Sequence, residues 1–217
     1  MSIRNALCVA VIFFMGVSTA TAMTVISQLS VSVPVQATPW GPVTVTLPQF
    51  DQSMFPNYEL QEVCFTLDGV ADSHVDVTAI ENTNIVEGDV GAFIQATNFS
   101  TGSLSLNAIP SGTFAPPVLA LSATDVMSFD LTGTDSDSLL LNSGLAPYIG
   151  TGTVTADLSA VGTNSSRTAG GNFELVQETT ASATLTIEYK GVLVPEPSSS
   201  LLALAGLGIF LGIARRK

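Results

Sequence analysis

An all-β protein, an antiparallel sandwich of two sheets in the jelly-roll or immunoglobulin-like manner, is the fold class this sequence predicts. Three observations carry that expectation. Between Met23 and Val194 no segment sustains an apolar period near 3.6, while period-two alternation recurs throughout. Thr and Val, whose β-branched side chains suit a pleated surface, fill the alternating stretches. Gly, Pro, Asn and Asp punctuate the chain often enough to divide it into many short strands.

Val25, Leu29, Val31 and Val33 share one register of the first predicted strand. Pro34, Pro39 and Pro42 then deny ladder donors, so the stretch from Pro34 to Pro42, with Trp40, reads as a linker. Val43 to Leu47 resumes the alternation and Pro48 stops it. The connection through Phe50, Asp51, Phe55 and Pro56 is irregular, with aromatics placed to pack over the edge of a core. Leu60 to Val70 is the next strand, with Val63, Phe65 and Leu67 on one face and a turn at Asp68-Gly69. His74 to Glu81 alternates again, with Val75, Val77 and Ala79 inward; Asn82 to Asn84 and Glu87-Gly88-Asp89 read as turns.

Further strands are expected over 92–98, 103–107, 118–121 and 126–131. Thr132 to Ser138 has loop composition, Gly152 to Val161 alternates, and Asn164 to Asn172 is a polar loop. Phe173 to Val176 opens a last hairpin that Ala181 to Tyr189 closes.

The two ends differ in kind from this body. Arg4, an apolar run from Ala6 to Val17 and an A-x-A site at Ala20-Thr21-Ala22 make a secretory signal peptide, cleaved after Ala22. At the other end Val194-Pro195-Glu196-Pro197 precedes an apolar run, and Arg215-Arg216-Lys217 closes the chain. Ser198 to Ala214 would form about 25 Å of helix, at the short end of what crosses a hydrocarbon layer of about 30 Å. The basic trio would act as a cytoplasmic charge stop under the positive-inside rule. The expected organisation is thus a signal peptide over 1–22, a β-sandwich ectodomain over 23–193 and a sorting tail over 194–217 holding a single transmembrane helix.

Charge excludes one class of function. The whole chain carries a formal net charge of -12, yet four of its six basic residues, Arg4, Arg215, Arg216 and Lys217, lie in the end segments. Arg167 and Lys190 alone remain in the body. Such a surface has no cluster of cations with which to bind phosphates, so a nucleic-acid partner is excluded. Cys64 is the single cysteine left after signal cleavage, which rules out an intramolecular disulfide, and it reads as a small buried hydrophobe on a strand.

Candidate chemistry is sparse. Asp135 and Asp137 alternate within an acidic stretch and are the candidate calcium ligands, although the twelfth position from Asp135 is Ala146, not the glutamate of an EF-hand loop. A solvated turn is the favoured reading of that stretch. His74, the one histidine, cannot alone build a multi-histidine zinc site, and no G-x-S-x-G elbow is present. Asn98-Phe99-Ser100 and Asn164-Ser165-Ser166 match the N-glycosylation pattern, a frequent coincidence in so polar a chain. Trp40, Phe50, Phe55 and Tyr58 are better placed to fill a core than to form a sugar platform. No cofactor is called for and no catalytic residue is assigned.

The tail resembles the PEP-CTERM sorting signal of Gram-negative bacteria. The matching parts are Val194-Pro195-Glu196-Pro197, the apolar segment Leu201 to Ile213, and Arg215-Arg216-Lys217. That resemblance implies passage through the Sec export machinery and a transient stay in the inner membrane. It further implies processing near the Pro-Glu-Pro motif by an exosortase, a membrane-embedded cysteine protease-transpeptidase, and delivery to the cell surface or extracellular matrix. The body is similar, more loosely, to choice-of-anchor E domains, through Val45 to Asp51, Gly152 to Gly171 and Thr180 to Tyr189. The expected function is a non-enzymatic structural or adhesive one in contact with exopolysaccharide, as in biofilms. The alternatives are a secreted carbohydrate-active enzyme or a lectin-like polysaccharide-binding module.

Overall fold

Two strands run almost the full length of the molecule and set its shape. In the computed structural model, which describes residues 22–114, 119–122, 124–168 and 170–194, β3 (Tyr58–Ala79) has 22 residues and β10 (Phe173–Leu193) has 21. At about 3.3 Å per residue these strands extend roughly 70 Å, far beyond ordinary strand length. They pair antiparallel along their whole length, from Phe173↔Ala79 to Leu193↔Tyr58.

The remaining strands are β1 (Thr24–Ala37), β2 (Trp40–Pro48), β4 (Thr83–Thr97), β5 (Leu106–Ala108), β6 (Ser111–Phe114), β7 (Leu119–Leu121), β8 (Val126–Leu141) and β9 (Thr153–Thr168). One sheet, here sheet A, has the order β1-β10-β3-β8, and the other, sheet B, has the order β2-β9-β4-β5, with β6 and β7 also on β4. β1 pairs with β10, β2 with β9 and β3 with β8, so the chain closes on itself as a nested series of antiparallel pairs. This is the rolled double sheet of a jelly roll, which resolves the choice left open between jelly-roll and immunoglobulin-like sandwiches.

The inward registers pack as the alternation predicts. Val63, Phe65, Leu67, Val75, Val77 and Ala79 are all essentially without solvent contact. The larger core lies toward the end where β10 finishes, around Phe50, Phe65, Leu158, Leu185 and Tyr189. There Phe65 meets Phe99 edge-on at 5.0 Å, and the Tyr189 hydroxyl donates across the sandwich to the Pro48 carbonyl at 2.8 Å. Burial, followed by the nearby Tyr148, pushes that phenol well above its usual range. A smaller core of Val75, Val77, Ala79, Val90 and Phe114 fills the opposite end, with Phe114 stacked on Phe129 at 4.9 Å. Between them lies a polar belt in which buried Ser73 and Thr179 share a hydrogen bond of 2.8 Å.

Several stretches expected to turn instead continue as strand. β1 passes through Pro34 to Ala37 because it is the edge of sheet A, where a missing donor costs no ladder bond, and its register slips between Val33 and Gln36. Trp40 is therefore not in a linker; it opens β2 and is buried. Asp68-Gly69 lies inside β3, Glu87-Gly88-Asp89 inside β4, and Thr132 to Ser138 inside β8. β9 likewise runs on to Thr168, and the expected last hairpin is the single strand β10. The glycines in these strands mark close packing and not reversal. A Cβ on Gly69 would lie 2.7 Å from Ile94 Cδ1, and one on Gly133 would lie 2.4 Å from the Ser111 backbone nitrogen. Cys64 also departs from expectation, since its side chain is on the outer face of sheet A and only half-buried.

Candidate functional site

Both ends of the described body emerge at one pole. Thr24 pairs with Gly191, Leu193 still pairs with Tyr58, and the Val194 N–H donates to the Asn57 carbonyl at 2.7 Å. Of the sorting and cleavage residues singled out in the sequence, Ala22 and Val194 are therefore placed, both at the surface. Ala20, Pro195, Glu196, Pro197, Arg215, Arg216 and Lys217 lie outside the described residues, as do the rest of the expected signal peptide and the expected transmembrane helix. Among the described residues no helix is long and apolar enough to cross a membrane.

The outer face of sheet A presents a regular array of polar side chains. Its rows run across the four strands as Ser30–Thr186–Thr66–Ser138, then Ser32–Thr184–Asp68–Ser136. The rows Ser182–Val70–Thr134 and Thr180–Asp72–Thr132 follow. Side chains in such an array sit about 4.8 Å apart across strands and about 6.7 Å apart along them. The hydroxyls bond to one another and to the acids: Ser30 with Thr186 at 3.0 Å, Ser32 with Thr184 at 2.9 Å, and Thr132 donating to Asp72 at 2.7 Å. A hydroxyl both donates and accepts, so one interstrand bond leaves the exposed Ser30, Ser32 and Thr132 capacity for an external partner, whereas Thr186 is buried.

Farther from the tail this face becomes acidic around His74. Its Nδ1 lies 2.7 Å from Asp130, its Nε2 3.4 Å from Asp76, and Glu178 pairs opposite it on β10. The hydrogen bond to Asp130, then the charges of Asp76, Asp130 and Glu178, raise the imidazole above its ordinary value. The side chain is nearly half exposed, so this is a surface ion cluster. Among the described residues no group of three or more His, Cys, Asp or Glu side chains is arranged to hold a metal.

Asp135 and Asp137 are brought together, but on the inward register of β8, not in a loop. Asp135 accepts from the Ile109 N–H at 2.7 Å and Asp137 from the Asn107 N–H at 2.9 Å. Sheet A is thereby tied to β5 of sheet B, closing that flank of the sandwich. The other flank is open. β1 pairs only as far as Ala37↔Thr180 and β2 as far as Trp40↔Ala160, leaving a groove of about 730 Å³ lined by Thr38, Gly162, Asn164, Gln177 and Glu178. The Gln177 amide bridges that groove, donating to Thr163 O at 3.1 Å and accepting from Asn164 at 3.0 Å.

The aromatics go to the core or its rim. Trp40 and Phe50 are buried, and Phe55 stacks on Phe50 at 5.4 Å. Sequence reasoning missed the hydroxyl face. Its signal was present in the polar registers of β1, β8 and β10, where Ser and Thr occupy successive outward positions.

Residues 193–217 match the PEP-CTERM protein-sorting motif. The chain thus carries the sorting signal of exosortase-processed proteins, and with it export and membrane-associated sorting toward the cell surface. No curated protein matches the chain. Two solved structures, of the Gt and Gx strains of infectious bursal disease virus, are similar over 81% of it at 14% identity, each with a TM-score of 0.15. The chain spans less than half of each, 44% and 42% respectively.

Proposed function

We propose that this protein is a non-enzymatic structural or adhesive component of a Gram-negative cell surface or extracellular matrix, processed through its tail and engaging exopolysaccharide by the outer face of sheet A. The observation that supports the reading is the hydroxyl array. A rigid sheet presenting hydroxyls at fixed pitch suits a long polymer that is itself rich in hydroxyls. The interspersed Asp68, Asp72 and Glu178 disfavour polyanions, so the preferred polymer is neutral or amino-bearing.

The test is co-sedimentation of the exported protein with neutral, amino-bearing and uronic-acid polysaccharides, with polymer length followed in parallel. Binding to the first two without shortening is expected, and the double substitution Ser136→Ala with Ser138→Ala, at exposed positions of that face, should weaken it. Equal binding by the double variant would remove the face from the account. A fall in polymer length would favour a secreted carbohydrate-active enzyme.

A further inference from the structure

The body ends where the sorting motif begins. Leu193 is held in the ladder opposite Tyr58, Val194 is hydrogen-bonded to Asn57, and Pro195 is the next residue. No spacer separates the last bonded strand residue from the segment the processing enzyme must grip. On the other side of the motif, six residues (195–200) lie between Val194 and Leu201, where the apolar run starts. Fully extended, they reach about 20–25 Å. An enzyme embedded in the membrane and acting at Pro195 to Pro197 must therefore meet the pole of the sandwich.

That pole is built to be covered. Met23, Val25, Met54, Ile149, Leu193 and Val194 are exposed on the strand ends and loops that meet there, and Met54 is 72% exposed. They make up six of the fourteen exposed large hydrophobics among the described residues, on one end of a long molecule. Apolar side chains gathered beside a membrane-proximal exit suit either a lipid surface or a protein.

Charge decides between them. Surfaces that rest on anionic lipid carry Lys or Arg around the apolar residues. The two basic residues of the body do not serve: Lys190 is 3.3 Å from Glu188, and Arg167 is at the far half of the molecule beside Glu87. Asp51, Glu59 and Glu62 lie near the pole instead. We infer that the tail-bearing pole is a docking surface for the exosortase itself, which presents an apolar patch with a basic rim to it and so recognises the folded body together with the motif. The inference rests on reading the tail as a processed sorting signal.

The experiment follows tail removal from the full-length chain, exported in cells that express the enzyme, by mass spectrometry over time. The variant M54D/I149D carries two substitutions at exposed sites and should be processed at least about fivefold more slowly, the loss expected when central interface side chains are replaced by charge. I80D/V126D, at the opposite end, should be processed at the normal rate. A ten-residue Gly/Ser insertion between Val194 and Pro195, which leaves the body untouched, should also slow processing by separating pole from motif. Normal rates for both M54D/I149D and the insertion variant overturn the docking surface while leaving the tail reading intact. Retention of Arg215 to Lys217 by the unaltered chain overturns both. Binding of the unaltered chain, with its tail removed, to phosphatidylethanolamine/phosphatidylglycerol vesicles, lost in M54D/I149D, assigns the pole to lipid and overturns the proposal.

Discussion

Gly133→Ala separates two physical accounts of the same residue by the sign of its effect. In a solvated loop with compatible backbone, replacing glycine by alanine removes freedom from the unfolded chain and stabilises by about 0.4–1 kcal/mol. In β8 the added methyl would lie 2.4 Å from the Ser111 nitrogen and 2.6 Å from its carbonyl carbon and oxygen. All three are backbone atoms, so no rotamer change relieves the contact, and β6 and β8 must separate by roughly an ångström. Overpacking of that kind costs about 1–3 kcal/mol. For a domain of this size each kcal/mol moves the melting temperature by about 2–4 °C, so thermal unfolding of the exported body should shift downward by about 2–12 °C. An unchanged or raised melting temperature would refute the close approach of the two sheets and restore the loop.

Other consequences follow from the same structure. Because the folded-state pKa of His74 is raised by Asp130, Asp76 and Glu178, its ion pairs contribute stability that is complete below about pH 6.5, the ordinary histidine value. That contribution is lost as pH rises through the folded value. NMR titration should place the imidazole above the ordinary value, and His74→Gln should flatten stability across that window; a titration at or below the ordinary value would contradict the cluster. Asp135→Ala with Asp137→Ala should lower the melting temperature by a few degrees, at about 1 kcal/mol or less per exposed hydrogen bond. Since both carboxylates already accept backbone donors, calcium should leave the unaltered protein's melting temperature unchanged, and a rise would revive the calcium reading. Phe114→Ala should cost about 3–5 kcal/mol and raise hydrogen exchange first in the smaller core. Uniform loss of protection at both ends would show that the two cores act as one.

Inward registers were legible in the sequence because burial on one side of an antiparallel sheet imposes a strict period of two, as at Val63, Phe65 and Leu67. Strand ends were not. Asp68-Gly69 and Thr132 to Ser138 have the composition of turns, yet on a solvent-facing register polar residues interrupt nothing, and glycine admits a neighbouring backbone. Whether a glycine bends the chain or admits another strand depends on a partner far along the sequence. Gly133 needs Ser111, and Asp137 needs Asn107, neither of which local pattern can supply. The hydroxyl face was hidden for the same reason, since its rows exist only once four strands are in register. The tail was legible because its signal lies in the order of three adjacent parts and needs no fold.

The most direct test of the account is the intact mass of the protein recovered from the cell surface or culture medium. A chain beginning at Met23 and ending within or next to Pro195-Glu196-Pro197, without Arg215, Arg216 and Lys217, is the predicted result. Recovery of mature protein that still ends in Lys217 would contradict it and leave a permanently anchored surface protein in its place.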